Sequence, residues 1–99
     1  MAEVGFGSIG TSSTVTADGV IGTSGINTVV WSLIVKGGSA TTRCVLEEGA
    51  GSGATMADII APINDTVTVS FPHGLYCSDG AYVDITTTAG SVTVVYSQA

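Results

Sequence analysis

At 99 residues this chain has room for one domain, and surface scaling allows about 64% of its surface to be buried in a single thin core. Charged side chains make up 10% of it, against ~25% in an ordinary soluble domain, while Ser and Thr together number 25 and the net charge is −6. Two basic side chains, Lys36 and Arg43, cannot form the Lys/Arg cluster that phosphate backbones require, so nucleic acid is excluded as a partner. Apolar runs such as Leu33–Val35 fall far short of the ~20 residues of a spanning helix. The six aromatics are too few for the girdles of a membrane barrel, so no membrane partner is expected. The start, Met1-Ala-Glu-Val-Gly5, has no basic region followed by an apolar one, and the chain is expected to be made and kept in a cytoplasm.

Taken in chain order, residues 1–13 are Gly- and Ser-rich without periodicity and read as a flexible arm, whose apolar side chains are Val4, Phe6 and Ile9. A single domain is expected over residues 14–99. Val and Ile total 21 against three Leu, a β composition. Thr14–Ile21 gives a weak strand signal. Thr28–Lys36 gives a strong one, with Val30, Ser32 and Ile34 on one face and Val29, Trp31, Leu33 and Val35 on the other, as in a central strand. Thr41–Glu48 places Thr42, Cys44 and Leu46 inward, and Gly49–Ala54 is a loop. Residues 56–61, ahead of Pro62, are either a helical turn or a short edge strand; so few residues before a proline make a poor helix, which favours the strand. Thr66–Phe71 points Val67, Val69 and Phe71 inward. The remainder reads as three short strands with reversals at Gly74, Gly80 and Gly90. Seven to eight short strands at this spacing predict an all-β fold, a small antiparallel β-sandwich or jelly-roll-like domain.

Candidate chemistry is sparse. Gly5-x-Gly7-x-x-Gly10 and Gly49-x-Gly51-x-x-Ala54 match a dinucleotide fingerprint in letters, but neither has the strand before and helix after that bring a pyrophosphate onto helix N–H groups. Cys44 and Cys77 fall on inward positions and are either an inter-sheet disulfide or two buried free thiols; without a secretory signal the free thiols are favoured. His73 pairs on paper with Cys77, or with Ser70, Ser78 and Asp79, yet a histidine inside Pro-His-Gly reads as a turn residue. One His and two distant Cys do not make a zinc site. Asp58, Asp65, Asp79 and Asp84 lack the spacing of a calcium loop and read as solvated turn residues. No catalytic residue, cofactor or metal is predicted, and an enzyme is disfavoured.

The segments Asp18-Gly-Val-Ile21, Ile60-Ala-Pro62, Asp65-Thr-Val-Thr-Val-Ser-Phe-Pro-His-Gly-Leu75, Gly80-Ala-Tyr-Val-Asp-Ile-Thr86 and Gly90-Ser-Val-Thr-Val-Val-Tyr96 resemble the small β-sandwich virion proteins of tailed bacteriophages. The resemblance implies a structural protein of the virion, of the decoration or cement type, that binds the outside of the head shell and stabilises it. Its partner would be the major capsid protein of that shell. It would itself be a homo-oligomer, such as a trimeric ring, with the arm bearing Val4, Phe6 and Ile9 strapped to the shell. The alternative is a receptor- or carbohydrate-binding knob of a head or tail fibre, with Trp31, Tyr76 and Tyr82 as candidate aromatics.

Overall fold

The computed structural model describes residues 11–51, 53–86 and 90–98, and in them the chain forms eight strands and no helix. These are β1 (Thr11–Val15), β2 (Gly19–Ile21), β3 (Thr28–Lys36), β4 (Thr42–Glu48), β5 (Thr55–Ala61), β6 (Thr66–Cys77), β7 (Ala81–Thr86) and β8 (Ser91–Gln98). They pair antiparallel into two four-stranded sheets, β1-β8-β3-β6 and β2-β7-β4-β5, which pack face to face as a β-sandwich. The segment at 56–61 is a strand, paired with β4 from Thr42↔Ala61 to Leu46↔Ala57.

Inward side chains of both sheets make one core: Ile21, Val30, Leu33, Val35, Cys44, Leu46, Val83, Val92 and Val94 have no exposed surface. Thr42, Cys44 and Leu46 point inward, and Val67 and Phe71 pack against the core from β6. Two buried hydroxyls interrupt this apolar set, those of Thr28 and Thr42. Thr28 Oγ1 donates to the Ile26 carbonyl at 2.8 Å and accepts from Gln98 Nε2 at 3.0 Å, so its burial leaves no unmet polar group. Gln98 also exchanges bonds with the Thr23 backbone, at 3.1 and 2.9 Å. The last residue of β8 thereby fastens the loop between β2 and β3.

Four expectations from the sequence need correction. The end of the arm, Thr11–Ser13, belongs to β1, which pairs with β8 from Thr11↔Tyr96 to Val15↔Val92. The weak strand at 14–21 is two strands in different sheets, because Thr16-Ala-Asp18 carries the chain from one layer to the other. Strict alternation fails in β3. The register with β8 runs Val30↔Tyr96 and then Ser32↔Val95, so Trp31 is an extra residue, a β-bulge. The bulge moves the core face from Thr28 and Val30 to Leu33 and Val35, and turns Val29, Trp31, Ser32 and Ile34 outward.

The last correction concerns the closing strands. They are not three short strands with a reversal at Gly74: β6 runs through it from Thr66 to Cys77, β6 and β8 both flank β3, and β7 lies in the other sheet between β2 and β4. Gly74 lies inside β6, where Phe71–Gly74 stand opposite the single residue Trp31. Its φ is +78°, and a Cβ there would come within 2.6 Å of Val29 Cγ1 and 3.3 Å of the Trp31 ring. This position therefore requires glycine on both conformational and steric grounds. The four residues form a lip beside the indole, which Gly74 meets and whose Nε1–H donates to Ser97 Oγ at 3.2 Å.

Candidate functional site

No cleft or cavity opens in the described part of the molecule, so its chemistry lies on the two outer faces of the sandwich and on its edges. Paired residues on neighbouring strands share a face, so the strand register gives the composition of each face.

The outer face of β2-β7-β4-β5 is charged. Its rows are Thr86–Arg43–Ile60, Asp84–Val45–Asp58 and Val20–Tyr82–Glu47–Thr55. Arg43 reaches diagonally across the strand pair and grips Asp58 with two bonds, Nε to Oδ1 at 2.9 Å and Nη2 to Oδ2 at 2.6 Å. This pairing holds the Asp58 carboxyl below its ordinary range and the guanidinium above its own. Both side chains are about half exposed, 53% and 43%, so solvent screens the bridge and it adds little to stability. Tyr82 lies beneath the Gly49–Gly53 loop, where a Cβ on Gly51 would meet its ring at 3.2 Å. Desolvation, then the charges of Asp18, Asp84 and Glu47, raise its phenol above the usual value.

The outer face of β1-β8-β3-β6 is neutral. Its rows are Thr14–Thr93–Ile34–Thr68, Ser12–Val95–Ser32–Ser70 and, beyond the bulge, Ser97–Val29–Tyr76. Thr14 and Thr93 share a hydroxyl–hydroxyl bond of 2.8 Å. Lys36, exposed in the end row Ser91–Lys36–Thr66, is the one charged side chain among these rows, and none of them holds a carboxylate. Among the described residues, large exposed apolar side chains stand at three places: Tyr76 on this face (62%), Ile60 on the charged face beside the open edge of β5 (58%), and Ile63 in the following turn (54%).

The candidates from sequence do not converge. Val4, Phe6 and Ile9 lie outside the described residues, as does the Gly5–Gly10 pattern. The Gly49–Ala54 pattern is followed by strand β5. His73 is exposed on the lip, whereas Cys77 is fully buried. Ser78 gives both its N–H and its Oγ–H to Glu48 Oε2, at 2.8 and 2.6 Å, which holds the Glu48 carboxyl below its ordinary range. Asp58 and Asp84 share the charged face, but Asp65 is in the turn before β6 and Asp79 in the turn before β7. Among the described residues no three His, Cys, Asp or Glu side chains gather as a metal would require. Of the three candidate aromatics, Trp31 and Tyr82 are each covered by a glycine segment, and Tyr76 alone stands clear.

Cys44 and Cys77 are free and buried at opposite levels of the sandwich. Cys77 sits at the Glu48 end of β4: Gly80 N donates to its carbonyl at 3.2 Å, and Gly49 N donates to Gly80 O at 2.9 Å. Cys44 is four residues before Glu48 along β4, a rise of about 13 Å, which sets the two thiols at different levels, beyond the ~7 Å a disulfide spans. Burial, then Asp58 and Asp84, pushes the Cys44 thiol up to about 11 from 9.0; burial and then Glu48 raise Cys77. For Cys44 this lowers the reactive thiolate fraction near pH 8, in addition to steric shielding by the core. Intact mass measured without reductant should therefore show two thiols, and alkylation should be slow until denaturant is added. Fast labelling of the native protein, or a disulfide-linked mass, would contradict this placement.

The face composition depends on the Trp31 bulge and is invisible to simple alternation. The signal that survives in sequence is the run of hydroxyls at Ser12, Thr14, Thr66, Thr68, Ser70, Ser91 and Thr93, spaced two apart on three strands. No family model, curated protein or solved structure matches this chain.

Proposed function

We propose that this protein is a structural virion protein of the capsid-decoration type, which binds the outside of a tailed-bacteriophage head shell and stabilises it. The observation that carries the reading is a solid sandwich whose largest exposed apolar side chains stand on its surface and edge. Without a cleft among the described residues, small-molecule recognition is poorly served there. Ile60 and Ile63, beside the open β5 edge, instead suit contact with another protein surface. On a symmetric shell, many such small contacts add through multivalency, so each needs little area. The segment carrying Val4, Phe6 and Ile9 would act as a second attachment.

The test is co-sedimentation with shells built from the major capsid protein of the phage that encodes the chain. The wild type should saturate the shell at a fixed ratio to its subunits. Ile60→Glu with Ile63→Glu should weaken binding at least about tenfold, and removal of residues 1–10 should weaken it while leaving the circular dichroism spectrum unchanged. Wild-type protein that stays in the supernatant would sink the proposal. The knob alternative rests on Tyr76 alone, and is tested by a glycan array on which Tyr76→Ala abolishes the signal.

A further inference from the structure

We propose that the neutral outer face of the β1-β8-β3-β6 sheet is the contact by which two copies of this chain pair about a two-fold axis. The inference is independent of the virion reading and starts from electrostatics. A chain of net charge −6 repels its own copies, so a surface on which two copies meet must be poor in carboxylates. The outward sheet carboxylates Glu47, Asp58 and Asp84 all belong to the other sheet. Asp65 and Asp79 lie in turns, and Asp18 accepts from the Ile85 backbone N–H at 2.8 Å. Pairing through the neutral face holds the two acidic faces on opposite outsides of the pair, with two sandwiches between them.

The face also suits itself chemically. In a two-fold contact one patch meets an identical patch, so the patch must hold both members of every contact it makes. A carboxylate would need a cation on the same patch. A hydroxyl needs only another hydroxyl, since it both donates and accepts. Hydroxyls occupy most of the Thr14–Thr93–Ile34–Thr68 and Ser12–Val95–Ser32–Ser70 rows, and half-buried Ile34 and Val95 supply apolar area between them. A stable interface takes about 800 Å² from each partner. The flat part of this face is four strands wide and about five residues long, on the order of 300 Å² in projection, so a pair formed on it is weaker than that and dissociates on dilution. The lip at Phe71–Gly74 bounds the flat area at one end and Lys36 bounds it at the other.

Sedimentation equilibrium on the whole chain tests the pairing. The wild type should show twice its 9.8 kDa mass, with dissociation on dilution. Thr68→Glu, on the exposed edge strand, and Ile34→Glu, at the centre of the face, should each raise the dissociation constant at least about tenfold. Thr68→Glu keeps the test decisive if Ile34→Glu does not fold. Thr86→Glu, on the charged face, should pair like the wild type. Raising salt from about 0.05 to about 0.5 M should tighten the pair, because it screens repulsion between the acidic bodies; a contact through Arg43 and carboxylates would loosen. A wild type that remains a single chain at about 200 μM, a concentration far above an ordinary micromolar dissociation constant, overturns the proposal. So does an assembly that Thr68→Glu leaves intact.

Discussion

Gly90→Ala is expected to cost about 3 kcal/mol or more, one of the largest losses available to a single methyl group in this protein. Gly90 is buried immediately ahead of β8, and a Cβ there would overlap both Thr42 Oγ1 and the Lys36 carbonyl oxygen. Neither neighbour can withdraw cheaply. The Lys36 carbonyl belongs to the end of β3, paired on both sides, and Thr42 is fully buried at the start of β4 in the opposite sheet. The methyl group would therefore drive the two layers apart at the point where the chain enters β8. Gly19→Ala is the control: nothing lies within 4 Å of its Cβ position, and alanine there should change stability by no more than about 0.5 kcal/mol. Urea unfolding midpoints of the two variants measure the contrast. Similar midpoints would mean that the sheets do not approach at Gly90 as described.

That glycine illustrates what could be read in the sequence. Its presence between two strand signals was legible, but a reversal glycine and a glycine forced by close approach look identical in one dimension. The same limit applies to Gly74, which marks the lip within β6 and not a chain reversal. Strand existence was readable wherever period-2 alternation was strong. Thr28–Lys36 has the expected bounds, and the core positions Thr42, Cys44 and Leu46 follow from the pattern of β4. Pairing partners were not readable. The sequence of β6, β7 and β8 suggests neighbours, whereas the three strands are divided between two layers, a matter of long-range contact and not of local propensity. The contrast between the two outer faces was hidden for the same reason, since it emerges from which strand lies beside which.

The four open edges of the sandwich are unequal. Exposed edge strands are ordinarily blunted by charge, proline or short length. Here β1 and β2 are short, and β6 carries Pro72 in its lip. The β5 edge has Asp58, held by Arg43, but also exposed Ile60. Of the open edges, β5 combines seven residues of strand with exposed aliphatic surface, which is why attachment to a partner is placed there and pairing of copies on the neutral face.

The bulge at Trp31 leads to the second large effect. Unbroken alternation that keeps Val30 inward would also bury Ile34 and expose Leu33; the extra residue reverses both assignments. Leu33 is fully buried opposite Val69 and Val94, whereas Ile34 lies on the neutral face between Thr68 and Thr93. Leu33→Ala removes three buried carbons from a close-packed interior and leaves a cavity, so it should cost about 2–5 kcal/mol. Ile34→Ala forfeits β-propensity and some surface packing, about 1 kcal/mol or less. In a domain of this size each kcal/mol shifts Tm by about 4–8 °C, so thermal melts separate the two cases readily. Both variants should be compared at concentrations where the protein is monomeric, because association would add stability to the parent that Ile34→Ala also removes. Leu33→Ala melting far below Ile34→Ala places the bulge between Val30 and Ser32. The reverse order would restore regular alternation, move Ile34 into the core, and remove the aliphatic centre from the face through which the copies are proposed to pair.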